Sequence, residues 1–181
     1  MPGQPTLRRY PYPETACAAR LLRLLLAQDG STTRLCDALL GRVEVEVHSQ
    51  EVLAAAPDGA APHLGGGAVL ERVTSLHRDG LVAMDNLALV RLDGLPGALR
   101  AGLEAGRLPL GRLLDGALLR RRPLEDPLLL AALLARLEEA GGGPADPRAS
   151  RAYLIEGQGG LSILVAETYR AAVADAFCGR S

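Results

Sequence analysis

Two hydrophobic periods take turns along this chain. Leu21, Leu22, Leu25 and Leu26 recur at helical spacing with Arg20 and Arg23 off the stripe, which predicts a helix from Glu14 to Gln28 ended by Gly30. Ser31 or Thr32 then caps a second helix that buries Leu35, Leu39 and Leu40 and stops at Gly41. Val43 to His48 alternates strictly, as a half-exposed strand does, with valines inward and Glu44 and Glu46 solvated. Gln50 to Gly67 has no firm period and reads as a loop, its one helical turn near Val52 to Ala55.

A hairpin follows, Ala68–Leu76 and Leu81–Leu92, turning at Arg78-Asp79-Gly80. Its second strand puts Val82, Met84, Asn86, Ala88 and Val90 on one face, so Asn86 is the one polar group in an apolar row. A buried amide needs hydrogen bonds, from the backbone or from a ligand. A short helix over Ala98–Ala105 and another from Leu108 to about Arg120 come next, and Arg120 to Arg122 read as a solvated charge run. Asp126-Pro127 starts a Leu-rich helix to Ala140, Gly141 to Pro147 is a linker, and Ala171–Phe177 forms a short tail.

The last hairpin pairs Arg151–Ile155 with Leu161–Tyr169 across Glu156–Gly160. Leu161, Ile163, Val165, Glu167 and Tyr169 share a face, so a carboxylate stands in an apolar row. Glu167 is either at a wet strand end or buried with partners, because a lone buried charge costs several kcal/mol, on the order of 3 or more. Hairpins and helices come in blocks, not in βαβ alternation. The class is therefore α+β with a single antiparallel β-sheet flanked by helices, in one domain from residue 14 to 181 behind an extended Pro-rich lead-in of residues 1–13.

Composition narrows the functions. At 181 residues the chain buries a core without staples, and its formal net charge of -1 argues against general nucleic-acid or membrane-surface binding. Trp is absent and Phe occurs once, so base-stacking platforms are missing. All basic side chains are Arg, the mark of a GC-rich genome. Cys17, Cys36 and Cys178 are far apart and odd in number, which suggests reduced thiols in a cytoplasm. His48, His63 and His77 stand singly, so no metal is assigned, and no phosphate loop or GxSxG motif is present. No apolar run is long enough to span a bilayer.

Four stretches stand in a specific order: Leu24-Leu-Leu-Ala-Gln-Asp-Gly-Ser-Thr-Thr-Arg34, Leu70-Glu-Arg-Val-Thr-Ser-Leu76, Leu108-Pro-Leu-Gly-Arg-Leu-Leu114, and Arg151 with its hairpin closing on Leu164-Val-Ala-Glu167. In this order the chain resembles the chorismate pyruvate-lyase family from about Ala16 to Tyr169. That family cleaves chorismate to 4-hydroxybenzoate and pyruvate without a cofactor. The resemblance implies an antiparallel sheet with helices on one side and two helical flaps over an enclosed ligand. It implies that Arg72 and Glu167 hold the aromatic or cyclohexadienyl carboxylic acid, that Thr32 lends a backbone amide, and that Leu110 lines the site. The chain departs from the family at Thr168-Tyr169-Arg170 and at Asp85-Asn86, where a small Gly is usual, and Asn86 would then contact the ligand.

The residue types suit that chemistry. A guanidinium presents a planar fork to a carboxylate, and a helix start offers free N–H groups to the same anion. Glu167 would accept from a ligand hydroxyl, as a positioning group or as a base. Arg72 on its apolar strand is expected to matter far more than Arg112 or Arg121, taken as surface residues. The resulting expectation is a cytoplasmic chorismate lyase supplying an aromatic precursor for secondary metabolism. The alternatives are a same-fold enzyme on another aromatic or polyketide-derived acid, or a non-catalytic module that binds a small metabolite.

Overall fold

The computed structural model describes residues 6–179. Six strands make one sheet in the order β1-β2-β3-β6-β5-β4. They are β1 Glu44–Leu53, β2 Val69–Arg78, β3 Leu81–Arg91, β4 Leu119–Pro123, β5 Ser150–Gly157 and β6 Ser162–Tyr169, and every pairing is antiparallel. The helices are α1 Ala16–Ala27, α2 Thr32–Leu40, α3 Ala61–Leu64, α4 Gly97–Ala105, α5 Leu110–Leu113, α6 Pro127–Leu137 and α7 Ala171–Cys178. This is the expected α+β class.

Helices cover both faces of the sheet, not one. On one face Val73, Leu87, Leu154 and Leu164 pack against Leu129, Leu133 and Leu137 of α6. On the other, Leu70, Val90, Ile163 and Val165 meet Leu99 and Leu103 of α4. At one end of that face α1, α2 and α7 gather around Leu76, Met84 and Tyr169. The central strands β2, β3 and β6 are buried almost throughout, which a strand tolerates only when apolar side chains point both ways.

Several boundaries differ from the sequence reading. β1 runs on to Leu53, through the stretch expected to be a loop, because its register shifts between Val47 and Ser49 and the alternation changes phase there. The helical turn lies at Ala61–Leu64, not at Val52–Ala55. α5 ends at Leu113, and β4 occupies ground expected to be helix or solvated loop. That short edge strand is specified by pairing with β5, Arg121 opposite Ile155, and not by any local apolar pattern. The lead-in, described from residue 6, docks on the β2–β3 turn through Arg8 and Gly80, and its Tyr12 is buried with its hydroxyl on the Ala18 carbonyl.

The expectation of three reduced thiols is also corrected. Cys17 on α1 is joined to Cys178 at the end of α7 by a disulfide, across 161 residues of sequence. Sequence spacing hides the pair, because only the packing of α1 against α7 brings the two cysteines together. Cys36 is free and buried, and burial pushes its thiol up to about 12. No helix among the described residues is long and apolar enough to cross a membrane.

Candidate functional site

Strand register builds the site. Thr74, Asn86, Glu167 and Arg151 stand side by side on β2, β3, β6 and β5 and point to the face covered by α2 and α5. Arg72, Ala88, Val165 and Tyr153 form the neighbouring row. Across the sheet the α2 N-terminus descends, with Ser31 as its cap. Gly111 of α5 sits so close to that cap that a Cβ would lie 2.5 Å from Thr33 Oγ1 and 2.7 Å from Ser31 Oγ. The glycine in Pro109-Leu-Gly-Arg112 is therefore required by the contact between α5 and α2.

Glu167 is fully buried and fully partnered. Its carboxylate accepts from Arg151 Nε at 2.7 Å, Tyr169 OH at 2.7 Å, Thr32 Oγ1 at 3.0 Å and Tyr153 OH at 3.2 Å. Arg151 in turn donates to the carbonyls of Leu26 and Gln28 and lies 4.9 Å over the Tyr153 ring. Burial opposes its charge, but Glu167 and the two phenols more than offset this and raise its pKa. Burial first, then the Glu167 charge, push both Tyr153 and Tyr169 well above the ordinary phenol value, so both remain donors at neutral pH. A buried ion pair holds only when its remaining lone pairs and protons are satisfied, as they are here.

Arg72 is the opposite case. It is 2 % exposed, its Nη2 donates to the Leu108 carbonyl at 3.1 Å, and its Nε has no partner. No carboxylate lies within ion-pair distance of it among the described residues. Burial lowers its pKa, though a guanidinium stays charged across physiological pH. The two residues expected to share a ligand thus have different partners within the chain. Glu167 belongs with Arg151, and Arg72 is a buried cation under a backbone carbonyl.

Thr32, Asn86, Leu110 and Glu167 all line one cavity of about 30 Å³, with Arg121 and Tyr153 also on its wall. Thr32 contributes its hydroxyl to Glu167, beyond the backbone amide expected of it. Arg121 is half-buried at this wall, and Arg112 bonds Asp37 at 2.7 and 3.0 Å, so neither is a plain surface residue. Sequence reasoning missed Arg151, Tyr153 and Arg121. The first two were within reach: residues 151 and 167 are equidistant from the turn residue Gly159, so a symmetric hairpin pairs them.

The reverse face of the same strands holds a second polar cluster. Asp85 is fully buried between Arg9 Nε at 3.2 Å and Arg170 Nε at 2.7 Å, and it also accepts from Ser75. His48 Nε2 lies 2.6 Å from Ser75 Oγ and 3.0 Å from Arg9 Nη2. Arg170 further holds the carbonyls of Gly142, Gly143 and Pro144, and Arg9 that of Gly141, which clasps the turn after α6 to the sheet. Burial, then the Arg9 charge, lower the pKa of His48.

No family model matches the chain, and no curated protein is similar to it by sequence. Among solved structures it resembles the possible transcriptional regulator YydK from Bacillus subtilis, at 12% identity and a TM-score of 0.43, over 71% of this chain and 57% of that one. This chain therefore matches little more than half the length of that regulator. It also resembles the ligand-binding domain of a putative GntR-family transcriptional regulator from Bordetella bronchiseptica, at 16% identity and 0.42, over 71% and 84%. A third is the effector domain of PhnF from Mycobacterium smegmatis, at 18% and 0.45, over 78% and 88%. Likeness of this degree gives the chain neither a name nor an activity.

The expectation of a chorismate pyruvate-lyase is nonetheless corrected, and with it 4-hydroxybenzoate and pyruvate as products. The reason lies in the geometry: Glu167 is occupied by four donors, so it is not poised as a base.

Proposed function

We propose that this chain is a non-catalytic binding module for a small organic anion. The acid group goes to Arg72, and a hydroxyl or N–H donor of the same ligand goes to the cavity edge at Asn86. The observation that carries this reading is the state of Arg72, a buried guanidinium with an unpartnered Nε and only the Leu108 carbonyl on its fork. An unpaired buried cation is costly, and a carboxylate is the partner whose two oxygens match its geometry. The Leu108 carbonyl occupies that place in the closed molecule. A cavity of about 30 Å³ has room for one or two waters, so a ligand must displace the segment that carries Leu108.

Thermal unfolding in the presence of three probes tests the reading. 4-Hydroxyphenylacetate carries both an acid and a hydroxyl donor; 4-hydroxyphenylacetamide is its neutral counterpart, and phenylacetate lacks the hydroxyl. The expected order of stabilisation is the hydroxy acid, then phenylacetate, then the amide with none. Equal stabilisation by acid and amide would remove Arg72 from the site.

A further inference from the structure

A groove on the outer side of the Leu108 segment is ringed by Arg42, Arg78, Arg107 and Arg112 and has a volume of about 340 Å³. Val43, just before β1, and Val45 on it line the groove, and Leu108 is part of its wall. The carbonyl of that same Leu108 accepts from Arg72. A single residue thus separates a cationic groove from a buried guanidinium with a free N–H.

The acidic groups around the groove do not neutralise it. Asp37 is engaged with Arg112, and Asp79 with Arg78 at 3.3 Å. Glu44 is the carboxylate in the wall itself. Arg42 and Arg107 are exposed and have no carboxylate partner among the described residues. The other opening near the site, about 200 Å³ beside Arg121, has Asp29 and Glu125 in its wall, and its Arg151 is already paired with Glu167. An approaching anion is therefore drawn to the Arg42–Arg107 side. Gly106, which ends α4 with a φ of 67°, lies at the start of the separating segment and permits a left-handed turn there.

We propose that this groove is an outer capture site for the small organic anion, from which it passes the Gly106–Pro109 segment and replaces the Leu108 carbonyl on Arg72. The proposal rests on the binding reading above. Clefts lined by one sign of charge raise the local concentration and association rate of an opposite charge, and salt weakens the effect.

The test is stopped-flow binding of 4-hydroxyphenylacetate to the full chain between roughly 0.02 M and 0.5 M ionic strength. Three proteins are compared: wild type, the pair Arg42→Glu with Arg107→Glu, and a control pair, Arg20→Glu with Arg23→Glu, exposed on α1 and equal in net charge change. The groove pair should lower the association rate by about tenfold or more at low salt, remove most of its salt dependence, and leave the dissociation rate within about twofold. The control pair should shift the association rate by less than about threefold. Equal effects from the two pairs would overturn the capture site while leaving binding at Arg72 intact. Absence of binding by wild type would overturn the binding reading and the groove together.

Discussion

Arg151 and Glu167 face each other across β5 and β6, with Nε and Oε1 2.7 Å apart. This pair accounts for the carboxylate in the apolar row of β6 without a ligand, and it leaves Arg72 without a counter-charge. The two buried charges on this face therefore have different physical meanings. One pair is a satisfied structural network beside the cavity; the lone guanidinium is a cost that folding alone does not recover.

Glu167→Gln should destabilise the fold before it alters any binding. It leaves the Arg151 guanidinium buried without its anion and removes an acceptor from Tyr153 and Tyr169. Breaking one side of a buried pair costs roughly 3–5 kcal/mol. Urea unfolding should show the midpoint falling with an unchanged slope. A loss below about 0.5 kcal/mol would mean that the network is not formed as described.

The cluster on the reverse face predicts a pH dependence. His48 has its pKa lowered in the folded chain, so between that value and the unfolded one the unfolded state binds more protons. Its contribution to stability is present above about pH 6.5, the unfolded value, and is lost as pH falls through the lower folded value. Melting temperatures of wild type and His48→Gln, compared from pH 7.5 down to 5 (roughly the window of imidazole titration), should show wild type losing more. Parallel curves would contradict it.

The disulfide predicts a thiol count. Unfolded without reductant, the chain should show one reactive thiol, Cys36, and after reduction three. Cys17→Ser should lower stability by about 2–5 kcal/mol, since the bridge closes nearly the whole chain. Three thiols in the unreduced protein would contradict the pairing.

How much of this was legible follows from range. Faces of β3 and β6 were readable from period two, so Asn86 and Glu167 were placed on the correct side of their strands. Caps were readable too: Ser31 and Asp126 accept the backbone N–H groups expected of them. What failed was set by distant partners. β4 is a strand because β5 pairs with it, Cys17 meets Cys178 because α1 packs on α7, and Arg121 is drawn to the cavity by that edge pairing. Arg151 as the partner of Glu167 was missed, although the hairpin register supplies it.

The most direct measurement is made on Arg72→Met, which keeps length and removes the charge. If Arg72 is an unpaired cation retained for a ligand, the ligand-free variant should be more stable than wild type by about 1–3 kcal/mol, as buried ionic groups replaced by apolar ones often are. In calorimetric titration the same variant should lose 4-hydroxyphenylacetate affinity by about 30-fold or more, the worth of a desolvated charged contact. Higher stability with lost binding is the result this account predicts. A less stable variant that binds the acid as well as wild type would show Arg72 to be a structural residue and would contradict the binding site.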